Sequence, residues 1–86
     1  MKISTTNSIV QPQYRTSDLG CVVALAVSGI PFTSLDRSNP SRVIFVFEDN
    51  QRLSKVVDQY WTGKLLVDAK SYSEQLKGVK ARIYNG

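Results

Sequence analysis

From Arg42 to Glu48 the chain reads Arg-Val-Ile-Phe-Val-Phe-Glu, with five apolar residues in succession. Alternate side chains of a strand point to opposite faces, so Val43, Phe45 and Phe47 share one face and Ile44 and Val46 the other. A strand apolar on both faces calls for cover on both, which predicts a central strand roofed on either side by helical layers. The second strong pattern follows at once. Leu53, Val56, Val57, Tyr60 and Trp61 recur at i, i+3, i+4, i+7 and i+8, an amphipathic stripe with Asp49 or Asn50 as cap and Gly63 as stop. This predicts a helix from about residue 51 to Thr62.

Upstream, Leu19, Cys21, Val22, Val23, Leu25 and Val27 make a segment apolar nearly all round, which predicts a buried helix over Asp18 to Ser28. Ser17 is the expected N-cap, Asp18 complements the dipole, and Gly29 ends the helix. Tyr14 to Thr16 is a short strand candidate before it. Ile30 to Leu35 is a second strand, with Pro31 at its start, and Asp36 to Pro40 is a turn rich in residues that favour one. After an extended link from Lys64 to Val67, Asp68 is the expected cap of a last helix over Ala69 to about Tyr84. There Tyr72, Leu76, Val79 and Ile83 fall within about 60° of one another. Gly78 lies on the far side of that helix. Met1 to Gln13 is polar apart from Ile3, Ile9 and Val10, and is expected to be a flexible lead-in to a single domain over residues 14–86.

The fold class is therefore a small α+β domain of order β-α-β-β-α-α. If the first two strands run parallel, joined by a crossover, the doubly apolar third fits between them, antiparallel to both, in spatial order 1-3-2.

Composition narrows the setting. The 86 residues are 42% hydrophobic and 21% charged, the make-up of a folded globular chain. Formal net charge is +4, of which +3 falls in residues 64–86, where Lys64, Lys70, Lys77, Lys80 and Arg82 face only Asp68 and Glu74. Such an excess favours anionic partners. A single cysteine, Cys21, excludes an intramolecular disulfide and makes a reduced, cytoplasmic setting the expectation. The longest charge-free apolar stretch, Leu19 to Val27, is about half the length of a membrane span. It also makes a poor signal-peptide core, with Asp18 directly before it and a polar segment ahead.

Several stretches together resemble a family of small uncharacterised domains from bacteria and phages. They are Tyr14 to Leu19, Gly29, Leu35 to Arg37, Arg42 to Phe47, Tyr60 to Gly63, Val67-Asp68, Leu76-Lys77 and Arg82 to Tyr84. The match spans most of Tyr14 to Tyr84. The resemblance implies a shared fold and a phage or mobile-element context, and carries neither an activity nor site residues.

Catalytic chemistry has little to work with. The chain has no histidine, which removes Ser-His-Asp and Cys-His nucleophilic systems, and the Cys and His count rules out a zinc site of those ligands. Lys64 follows Gly63, but a phosphate-cradling loop needs glycine where Asp58 stands. Asp68-Ala69-Lys70 has an acid-x-lysine form found in metal-dependent nucleases. Such a site needs further acids, however, and Asp36, Asp49 and Asp68 all occupy turn or cap positions. A non-enzyme without cofactor, metal or small-molecule substrate is expected.

Two surfaces remain as candidates. On the last helix Lys70, Ser73, Lys77, Lys80 and Tyr84 cluster within about 80°, beside the apolar stripe. Lys70, Lys77 and Lys80 are placed to track phosphates and Tyr84 to stack on an unpaired base. The competing reading is a solvated face with Glu74 paired to Lys70 and Lys77. Tyr60 and Trp61 are the candidates for a protein interface, although their place on an apolar stripe argues first for core membership. The expected function is a binding module acting by protein-protein contact, homodimerisation included, with nucleic-acid binding by the basic helix as the alternative.

Overall fold

The computed structural model describes residues 12–85. Its elements are β1 (Gln13–Thr16), α1 (Leu19–Val27), β2 (Ser34–Asn39), β3 (Arg42–Glu48), α2 (Gln51–Trp61) and α3 (Ala69–Asn85). Of the expected lead-in, Gln13 belongs to β1 and the Pro12 carbonyl accepts from Asp49 N at 3.0 Å, while residues 1–11 lie outside the described residues.

The sheet has order β1-β3-β2 with both pairings antiparallel, so β1 and β2 are parallel to each other and β3 is the middle strand, as its two apolar faces require. Register places Tyr14 against Phe47, and Thr16 and Leu35 on either side of Phe45. That face is the floor of the core. Cys21, Val22, Val23 and Leu25 of α1, Ile30, Leu53 of α2 and Val79 of α3 pack with Phe45 and Phe47 into one cluster. Phe32 meets both phenyl rings edge-on, at 5.2 and 6.4 Å between centroids.

The opposite face departs from expectation. Among the described residues the buried side chains of all three helices join this one cluster, and Ile44 and Val46 take no part in it. Val46 is nonetheless only 3% exposed. Its strand neighbour Arg15 on β1 forms an ion pair with Asp36 on β2, the neighbour of Ile44, so the pair reaches across the middle strand.

β2 is also displaced from its expected place. Ile30 turns into the core, residues 31–33 are irregular, and the strand runs through the tract that the residue types mark as a turn. Asp36 satisfies its carboxylate within the strand region, accepting from Ser38 N at 2.9 Å and Ser38 Oγ at 2.7 Å. A register shift between Asp36 and Asn39 absorbs the irregularity. The reversal then falls at Pro40-Ser41, where Asn39 Oδ1 accepts from Ser41 N.

Helix boundaries follow local chemistry. Asp18, not Ser17, caps α1, its carboxylate accepting from Cys21 N at 2.9 Å, because Thr16 Oγ1 accepts from Asp18 N and holds Asp18 extended. Asn50 caps α2 through Leu53 N, and Asp68 caps α3 through Ser71 N. Both α1 and α2 end in the same doubly bonded C-terminal motif. Gly29 N and Ile30 N donate to Ala26 O and Leu25 O, and Gly63 N and Lys64 N donate to Tyr60 O and Gln59 O. The two glycines sit at φ +83° and +74°, where a side chain is disfavoured.

Candidate functional site

The end of α2 is held in place from α1. Tyr60 OH donates to Asp18 Oδ2 at 2.9 Å, so the carboxylate that caps α1 also receives a hydroxyl from α2. Burial, reinforced by this neighbouring carboxylate, pushes the Tyr60 hydroxyl up to about 12. The helices approach closely at Gly20, where an added Cβ would lie 2.4 Å from the Tyr60 hydroxyl oxygen. Tyr60 is thus half-buried and packed against the core cluster.

Trp61 differs from its neighbour. It is 60% exposed and stands edge-on to Tyr60, with centroids 4.9 Å apart. Core membership, expected from the stripe, fails for it at the last turn of α2. In the connection that follows, Leu66 is 93% and Val67 37% exposed. Three of the four large exposed hydrophobics among the described residues therefore lie within positions 61–67. Leu66 was readable as one of three consecutive apolar residues in a linker, a signal that periodicity ignores.

The fourth is Tyr84, 78% exposed, on the face of α3 that also carries Lys70, Ser73, Lys77 and Lys80, all exposed. Among the described residues Glu74 pairs with neither Lys70 nor Lys77, and the Arg15–Asp36 bridge is the sole ion pair. The face is solvated, but without the Glu74 pairs.

Arginines and lysines divide the work. Arg37 donates to the carbonyls of Arg82 and Ile83, both at 3.0 Å, and satisfies the last turn of α3 from β2. Arg52 donates to Ser28 O at the carboxyl end of α1, and Arg82 lies 4.9 Å over the Phe32 ring. With Arg15 bound to Asp36, four of the five arginines serve the fold. Lys55, Lys64, Lys70, Lys77 and Lys80 are exposed and make no ion pair among the described residues. Sequence reasoning missed the arginine roles because their partners are carbonyls distant in the chain.

Asp36 and Asp68 are held by local hydrogen bonds. Hydrogen bonds from the Ser38 hydroxyl and amide, then from Arg15, lower Asp36 to about 2, and bonds from Ser71 lower Asp68. Cys21 is fully buried beside the Tyr14 hydroxyl at 3.9 Å, and burial raises its thiol pKa, the opposite of an activated nucleophile. Among the described residues no three Cys, Asp or Glu side chains gather around a common point, and no helix is long and apolar enough to cross a membrane.

The sequence profile of a family described as a domain of unknown function, DUF5659, matches residues 11–85. The chain belongs to this family. The DUF5659 match covers every described element, from β1 to α3, so the sheet order and the capped helices above describe a DUF5659 domain. Among curated proteins and among solved structures nothing matches.

Proposed function

We propose that this DUF5659 domain is a non-enzymatic binding module acting through protein-protein contact, self-association included. The supporting observation is the run from Trp61 to Val67, which leaves a tryptophan, a leucine and a valine in solvent on a helix end that Tyr60 and Asp18 hold rigidly. Aromatic anchors on a fixed scaffold are the usual centre of a protein interface, because little side-chain freedom is lost when they are covered. A cytoplasmic setting belongs to the same reading, supported by an unpaired, buried Cys21. The test is sedimentation over a wide concentration range together with affinity capture, comparing the native chain with Trp61→Ser/Leu66→Ser. A native chain that stays monomeric and captures nothing sinks the reading.

A second reading has its own observation. Lys70, Lys77 and Lys80, free of acid partners among the described residues and in line with an exposed Tyr84, favour a nucleic-acid contact on α3. Titration with single- and double-stranded oligonucleotides at two salt concentrations tests it. Binding is expected to weaken with salt and to fall in Lys77→Glu and Lys80→Glu, whereas absent or salt-insensitive binding removes the reading.

A further inference from the structure

Beside Trp61 a groove of about 300 Å³ runs between α2 and β1. Leu53 and Val57 supply its apolar floor, Tyr14 and Trp61 its aromatic walls, and Asp49 and Asp58 its only charges among the described residues. Among the described residues no lysine or arginine lines it, although the chain as a whole is +4. The volume is at the bottom of the range for pockets that enclose a small molecule, so one or two side chains of a larger partner fit it better than a free ligand.

The two carboxylates are not needed by the fold. Asn50, not Asp49, caps α2, and Asp49 makes only a 3.4 Å contact with the Ser54 hydroxyl. The Asp58 side chain makes neither an ion pair nor a hydrogen bond among the described residues, only its carbonyl being used, by Thr62. An aromatic wall beside two uncommitted carboxylates suits a cation on an apolar stem. The stem covers the half-buried Val57, the charge meets Asp49 or Asp58, and the Trp61 face adds a cation-π contact. A polyanion is repelled by the same two charges.

We propose that this groove receives an arginine- or lysine-bearing extended segment of a partner protein, with Trp61 as the anchor and Asp49 and Asp58 as the charge-selecting residues. This rests on the protein-contact reading of the Trp61 surface and adds the chemistry of the partner. Charge complementarity carries the choice of occupant: the groove is acidic on a basic molecule, so it selects cationic segments and disfavours polyanions.

Trp61 is the chain's single tryptophan, so its emission reports on this site alone. The probes are three hexapeptides in which leucine alternates with arginine, with glutamate or with serine. The arginine peptide is expected to shift Trp61 emission saturably and less tightly as salt rises. Its affinity is expected to drop about tenfold or more in Asp49→Asn/Asp58→Asn, roughly the loss of one charge-assisted contact. Asp58→Lys alone, far from any cap, is expected to abolish the response, and circular dichroism of both variants verifies that they fold. No emission change with the arginine peptide overturns the proposal. An equal response to all three peptides also overturns it, while leaving the protein-contact reading standing. An emission shift on concentrating the protein alone, with no peptide response, assigns the groove to a second copy and overturns it too.

Discussion

Asp18 is the residue on which most local structure converges. One carboxylate oxygen caps α1 through Cys21 N and anchors α2 through the Tyr60 hydroxyl, and the contact is close only because position 20 has no Cβ. Gly20→Ala is expected to cost about 1–3 kcal/mol by forcing the Tyr60 hydroxyl away from Asp18. Adding Tyr60→Phe removes the clashing oxygen, so the double variant should lose less stability than the sum of the singles in urea denaturation. Strict additivity would show that the two positions do not meet. The raised Tyr60 pKa has a definite sign. The folded state holds the phenolic proton to about 12 while the unfolded chain gives it up near 10. The associated stability is present in full below pH 10 and is lost as pH rises through 12. Tyr60→Phe is expected to flatten that part of an alkaline stability curve. None of this was legible in the sequence, where Asp18 reads as a complement to the helix dipole and nothing singles out Gly20. The partner lies 42 positions away, and local propensity carries no information at that range.

At the scale of the element, legibility tracked how completely a pattern was satisfied within its own segment. The middle strand, the α2 stripe and the glycines closing α1 and α2 each contain their own reasons, and all form where the pattern puts them. β2 does not, since Asp36-Arg37-Ser38-Asn39 has turn propensity and is drawn into the sheet by partners on other elements. Asp36 bonds Ser38 and spans the sheet to Arg15, and Arg37 holds the end of α3. The bridge gives a pH signature. The folded-state pKa of Asp36 is lowered to about 2, so its contribution is fully present above about pH 4, the unfolded value, and is lost as pH falls through 2. Asp36→Asn should remove that component of acid unfolding, as followed by circular dichroism. An unchanged acid limb would mean that the bridge contributes nothing to stability.

For the whole molecule, topology was readable and surface use only partly so. The 1-3-2 order followed from one strand apolar on two faces, but the helices gather their buried side chains on one face while a cross-strand ion pair spans the strand from β1 to β2. Periodicity cannot tell the two apart. Likewise the α2 stripe named Tyr60 and Trp61 together, and only the three-dimensional end of the helix separates a buried anchor from an exposed one. Trp61→Ala is therefore expected to change stability by less than about 1 kcal/mol, since most of the ring is already in water. It should still abolish any concentration-dependent association. A large loss of stability with association intact would place Trp61 in the core and the interface elsewhere.

The separation of arginine from lysine has a consequence for chemical control of this domain. Acetic anhydride neutralises amines and spares guanidinium groups, so treatment would strip the charge from α3 while every contact made by Arg15, Arg37, Arg52 and Arg82 survived. Losing six lysine charges takes the chain from +4 to −2. The electrostatic character of this protein is thus reversible by an acyl-transfer reagent, or an acetyltransferase, without a change of shape.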